Sequence, residues 1–143
     1  MSTPSLGRHQ IRIKALQAIF QMKFNEELDR DDAIEAALLS ELEDEETELP
    51  DAPYLSEIVH GVLDNEEAIN DAIRPYLKNW TLERLPKTDS IILQIAVYEL
   101  FFAKNKEIPQ RVALNEAIEL AKDFSDEKSR KFINGVLSNM VKE

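Results

Sequence analysis

A chain of 143 residues with a net charge of −11, no cysteine and three glycines is long enough to bury a real core. The missing cysteines exclude disulfides, thiol nucleophiles and cysteine zinc sites, and no apolar run approaches the ~20 residues that span a bilayer. Sparse Pro and Gly beside plentiful Ala, Leu, Ile, Glu and Lys favour an all-α fold, and the start lacks the apolar stretch of a signal peptide, so the expected compartment is the cytoplasm.

Residues 1–7, MSTPSLG, read as a flexible tail. A first helix is expected from about Arg8 to Phe24. A helix turns ~100° per residue, which puts Ile11, Ala15, Ala18, Ile19 and Met22 on one apolar stripe. Ile13, Leu16, Phe20 and Phe24 form a second, nearly opposite. Arg12 and Lys23 lie between them on one side, Lys14, Gln17 and Gln21 on the other. Such a helix is either sandwiched in a core or offers one stripe to a partner.

A second helix is expected from about Asp31 to Leu42, within a strongly acidic block. Residues 29–51 hold 11 acidic residues and one basic residue, whereas the first 24 carry Arg8, Arg12, Lys14 and Lys23 and no acid. The charge is therefore segregated, and a basic start weakens the objection that a net-negative chain avoids nucleic acid. The acidic block reads most simply as a solvated face and loop.

EDEETELPDAP is a loop, with Pro53 placed to open a third helix that runs to about Leu63. NEEAINDAIRPYL is a fourth, with Pro75 near its end. NWTLERLPKTD is a turn-rich connection with one helical turn at LERL. SIILQIAVYELFFA is the most apolar segment and should be the central buried helix. NKEIP breaks the chain before QRVALNEAIELAKDF, whose apolar arc is Ala113, Leu114, Ala117, Ile118, Leu120, Ala121 and Phe124. Ser125 is a candidate N-cap for the last helix, with Asp126 and Glu127 favourable in its first turn. The count is six or seven helices, without strand-like alternation.

The last helix, SRKFINGVLSNMV, carries Ile133, Val136, Leu137, Met140 and Val141 on one core-facing arc. Phe132 sits at its edge, Gly135 beyond it, and Lys131 further round. A mid-helix glycine costs ~1 kcal/mol relative to alanine. Gly135 admits close approach by another chain, either a neighbouring helix or a ligand. An aromatic beside a lysine suits a stacked base with its phosphate; the simpler reading has Phe132 capping the core. No chemistry-bearing set emerges. His9 and His60 lack ligand spacing, the three glycines make no phosphate loop, and no carboxylates pair as acid and base. The chain reads as a binding protein with no enzymatic activity, metal or cofactor.

The stretches RHQIRIKALQAIFQ, DSIILQIAVYELFF, IPQRVALNEAIELAKDF and SRKFINGVL, in this order, resemble the transcription antitermination factor NusB family over nearly the whole chain. The resemblance implies an all-α fold of about seven helices in two small packed bundles, with 8–143 as one helical binding domain. It implies a non-enzymatic adaptor that binds boxA RNA of nascent ribosomal-RNA transcripts together with NusE, a protein of the small ribosomal subunit. The pair joins the RNA polymerase antitermination complex. It further implies RNA contacts at Arg8, His9, Arg12, Lys131 and Phe132, and NusE contacts at Phe20 and Asp89. Gly135 matches the glycine of the family's NGVL and is expected to serve close packing of helices.

Two departures stand out. RHQIR is thinner in arginine than the usual run, and Gln94 stands where many members have arginine; fewer cations should flatten the salt dependence of RNA binding. Two alternatives remain. One is an accessory domain related to the start of ribosomal-RNA cytosine methyltransferases, which expects a cofactor-binding domain with a glycine-rich loop that these residues do not carry. The other is a structural homodimer joined through the stripe on the first helix, which is compatible with the adaptor reading as a resting state.

Overall fold

The computed structural model describes residues 7–39, 53–78, 81–103 and 109–141. The expected tail at 1–6, the acidic block from residue 40 onward and the NKEI break lie outside the described residues. Every regular element among the described residues is helical. The chain divides into two compact units between His60 and Gly61.

In the first unit, α1 (Arg8–Phe24) packs along α2 (Arg30–Leu39). Ile11, Ala15, Ala18 and Ile19 of α1 are buried, as are Ala33, Ile34, Ala37 and Leu38 of α2. The start of α3 (Pro53–Asp64) adds buried Leu55, Ile58 and Val59. The His60 ring ties α3 to the first turn of α2. Its Nδ1 lies 3.4 Å from Arg30 Nη1 and its Nε2 3.2 Å from Asp31 Oδ1. An imidazole protonated at Nε2 accepts from the guanidinium and donates to the carboxylate.

The two-stripe prediction for α1 resolves by position along the helix. Around Ile11–Ile19 nearly the whole circumference is buried, including Arg12 and Lys14 at 1% exposure each. Lys14, placed between the two stripes by periodicity, is inside, with Nζ donating to Gln17 Oε1 at 3.2 Å. At the C-terminal end, the second stripe emerges as exposed Phe20 and Phe24.

In the second unit, α4 (Glu66–Ile73) buries Ile69 and Ile73 and opens on Glu66 and Glu67, suited to the positive end of the helix dipole. It stops short of the predicted Leu77. Pro75 has no N–H for the ladder, and Arg74–Tyr76 tighten into a 3-10 turn. A second 3-10 turn, Leu82–Arg84, stands where one helical turn was expected. Arg74 bridges the two, donating to Asp71 at 2.6 Å and to Glu83 at 2.9 Å. That hydrogen bond holds the Glu83 carboxyl below its ordinary value.

Helix α5 (Lys87–Val97) is buried continuously from Asp89 to Val97, as its apolar run predicts. It ends in a π-helical turn, Tyr98–Phe102, rather than running on as an α-helix. Gln94 is buried and donates Nε2–H to Asn70 Oδ1 at 2.9 Å, joining α5 to α4. Position 94 is therefore an interior one, and its side chain bears on a packing contact rather than on the surface charge. Helices α6 (Gln110–Phe124) and α7 (Glu127–Val141) pack on each other and on α5. Ala113, Ala117, Leu120 and Ala121 of α6 are buried, with Ile133, Val136, Leu137 and Met140 of α7.

The N-cap of α7 is Asp126 rather than Ser125: its Oδ1 accepts the Ser129 backbone N–H at 2.8 Å. Ser125 is occupied elsewhere, its hydroxyl donating to Asp89 Oδ1 at 2.7 Å. The glycines also exchange roles. A Cβ at Gly61 would collide with the Tyr98 ring, so Gly61 is the position where close approach demands glycine. At Gly135 no atom beyond the adjoining residues and the backbone of its own helix lies within 4 Å of where a Cβ would stand. The expected helix packing at Gly135 is therefore absent among the described residues.

Candidate nucleic-acid and partner interface

On α7, Phe132 and Lys131 stand where the core arc meets solvent. The Lys131 side chain is 77% exposed, with Glu127 as an i,i+4 partner at 3.5 Å. An exposed pair of this kind contributes little, so its ammonium can turn to a stronger anion at small cost. Phe132 is half-buried and lines two cavities. One, of about 250 Å³, has Leu85, Pro86, Asp89, Lys128 and Ser129 on its walls. The other, of about 310 Å³, is lined by Tyr76, Lys78, Lys131 and Asn139, with Gly135 among them. The ring thus divides two depressions with a lysine beside each.

Asp89 and Phe132, assigned by resemblance to different partners, meet in the first of these cavities. Asp89 is 3% exposed and accepts from Ser125, so its carboxylate is a fixed interior acceptor at the cavity wall. Asp126, on the same wall, receives hydrogen bonds from the Ser129 backbone and side chain. These hold its carboxyl below the ordinary value.

On α1, Arg8 is exposed and its guanidinium lies 5.3 Å from the Tyr54 ring centroid, a cation–π contact. His9 is half-buried. Arg12 departs from the expected surface cation, because its guanidinium is inside the fold. Phe20 is 37% exposed and Phe24 66%. Their rings pack at 4.9 Å between centroids with a 51° tilt, the offset arrangement that aromatic quadrupoles favour. Two adjacent phenylalanines at solvent form an apolar patch with one ring braced by the other.

The sequence reading missed Tyr76, Lys78 and Asn139. Tyr76 and Lys78 follow Pro75 in what reads as a helix end, and the only local signal was the proline itself.

No metal-holding cluster of His, Asp and Glu occurs among the described residues, and none of their helices is long and apolar enough to cross a membrane.

Residues 9–142 match the model of the NusB family. The transcription antitermination protein NusB of Enterococcus faecalis is 44% identical over 147 residues, covering 100% of this chain and 94% of its own. The structure of T. maritima NusB superposes with a TM-score of 0.81 at 34% identity, covering 97% of this chain and 93% of that one. A crystal structure of the antitermination factors NusB and NusE in complex with dsRNA matches with a TM-score of 0.76. At 23% identity, over 93% of this chain and 94% of the other, that likeness is one of fold.

Proposed function

The chain belongs to the NusB family of transcription antitermination proteins, a non-enzymatic family, and from that premise we propose that it is an RNA-binding adaptor working as a heterodimer with NusE. The carrying observation is the exposed Lys131–Phe132 pair, set between two cavities on α7. Bases of single-stranded RNA stack on aromatic rings while cations take the phosphates. The RNA is the boxA element of nascent ribosomal transcripts in the cytoplasm, and the heterodimer helps RNA polymerase resist termination. The binding domain runs over 8–143. Arg8 and His9 supply further RNA contacts from the start of α1, and Arg12 supports them from inside the fold.

Phe20, with Phe24 against it, offers the apolar surface that NusE covers. Asp89 acts through the wall of its cavity, where Ser125 holds the carboxylate in one orientation. The same phenylalanine pair also favours a homodimer as the resting state, since an unpartnered apolar patch is self-complementary by chemistry.

Fluorescence anisotropy with labelled boxA RNA, with and without NusE at two salt concentrations, tests the proposal. Tighter binding in the mixture than with either protein alone is expected. Equal binding of boxA and scrambled RNA in every mixture would overturn it. Phe20→Asp is expected to abolish NusE pulldown in a folded protein; undiminished pulldown would remove Phe20 from the interface.

A further inference from the structure

We infer that the groove floored by Gly135 is a second nucleotide subsite, taking a base and its phosphates from single-stranded RNA beside the base that stacks on Phe132. The inference rests on the RNA-binding reading above and adds Tyr76, Lys78, Gly135 and Asn139 to it.

Two local irregularities meet at this groove, and packing among the described residues explains neither. Gly135 sits in the middle of α7, where alanine would favour the helix and a Cβ would meet open space. Lys78 has φ of 49°, the one non-glycine residue with positive φ among those described. Glycine or asparagine adopts that left-handed region with less strain than lysine does. Local rules broken without a packing return are expected at functional positions. Both breaks lie on the walls of one depression of about 310 Å³.

The chemistry around them is of one kind. Tyr76 and Phe132 provide two rings, Lys78 and Lys131 two cations, and Asn139 an amide that both donates and accepts. Among the described residues the walls hold two lysines and no carboxylate, Glu127 reaching Lys131 from outside them at 3.5 Å, in a chain of net charge −11. An aromatic-walled, cationic groove fits a polyanion with flat, stackable faces, which is single-stranded nucleic acid. Gly135 keeps the floor at backbone level, where a side chain would occupy the space of a sugar or base. The left-handed turn at Lys78 directs its ammonium stem from a short connection after Leu77, independently of any helix register.

The test pairs stability with binding. Gly135→Ala and Lys78→Gly each relieve a local cost, so thermal unfolding is expected to move to higher temperature. Both are expected to weaken binding of a fluorescein-labelled single-stranded boxA RNA in the presence of NusE. Tyr76→Ala should lose about tenfold in affinity by removing a stacking face. Lys78→Gly should also reduce the slope of log Kobs against log salt by about 0.7, one phosphate contact on a single strand. A purely structural role for Lys78 would leave that slope unchanged. Wild-type affinity and slope in all three variants, with wild-type protein binding the RNA, would overturn the subsite alone. If wild-type protein binds no RNA, the adaptor reading and the subsite fall together.

Discussion

The Ser125 hydroxyl and the Asp89 carboxylate, 2.7 Å apart, link the first turn of α5 to the junction before α7. Asp89 is almost wholly buried, and a hydrogen bond to a charged group is stronger than one between neutral groups. Ser125→Ala is expected to lower stability by about 1–3 kcal/mol, read from urea unfolding, because a buried acceptor loses its donor. Asp89→Asn keeps an oxygen for Ser125 while removing the charge. It should therefore cost less stability than Ser125→Ala, and a loss of NusE affinity in a folded Asp89→Asn protein would isolate the charge as the recognised feature. That bond was not legible in the sequence. Ser125 stands where an N-cap is wanted, and only folding brings position 89 within reach of it. The same limit hid Lys14. Periodicity sorts residues by polarity, whereas a lysine has a long apolar stem that a core can absorb once its ammonium finds an acceptor.

Among the elements, α7 depends most visibly on its first turn. Asp126 accepts the Ser129 amide there, and this holds its carboxyl below the ordinary value of 3.8. The unfolded chain binds the proton more tightly than the folded one, so the cap contributes fully above the unfolded value. Its contribution disappears as pH falls through the lower, folded value. The difference in Tm between wild type and Asp126→Ala is therefore expected to be largest at neutral pH and to shrink below about pH 4. A difference that is constant with pH would place the capping energy elsewhere. Existence and order of the helices were legible from apolar spacing and proline positions. The ends were not: Pro75 lies inside the expected fourth helix, and the apolar run continues unbroken where α5 gives way to a π-helical turn.

Across the molecule, charge decides how RNA binding responds to salt. The net charge is −11, and the cations at the cavities and the exposed start of α1 are few: Arg8, Lys78, Lys128 and Lys131. Three to four phosphate contacts on a single strand correspond to a slope of about −2 to −3 in log Kobs against log salt. Anisotropy titrations over a range of salt concentrations are expected to give such a shallow slope for the protein alone. A slope steeper than about −5 would require more phosphate contacts than these side chains supply. Basic and acidic segregation was visible in the sequence, because it is a property of order alone. Which cations reach solvent was not: Arg12 and Lys14 count equally with Arg8 in the sequence, yet both are interior.

Gly61 and Tyr98 fit together so closely that neither can change freely. Any side chain at position 61 needs the space of the ring, so the two positions are expected to drift as a pair across descendants of this gene. Gly61→Ala in the wild-type background should therefore fold poorly, and Tyr98→Leu should restore it in part. Such a rescue would mark the pair as a historical constraint written into the second unit.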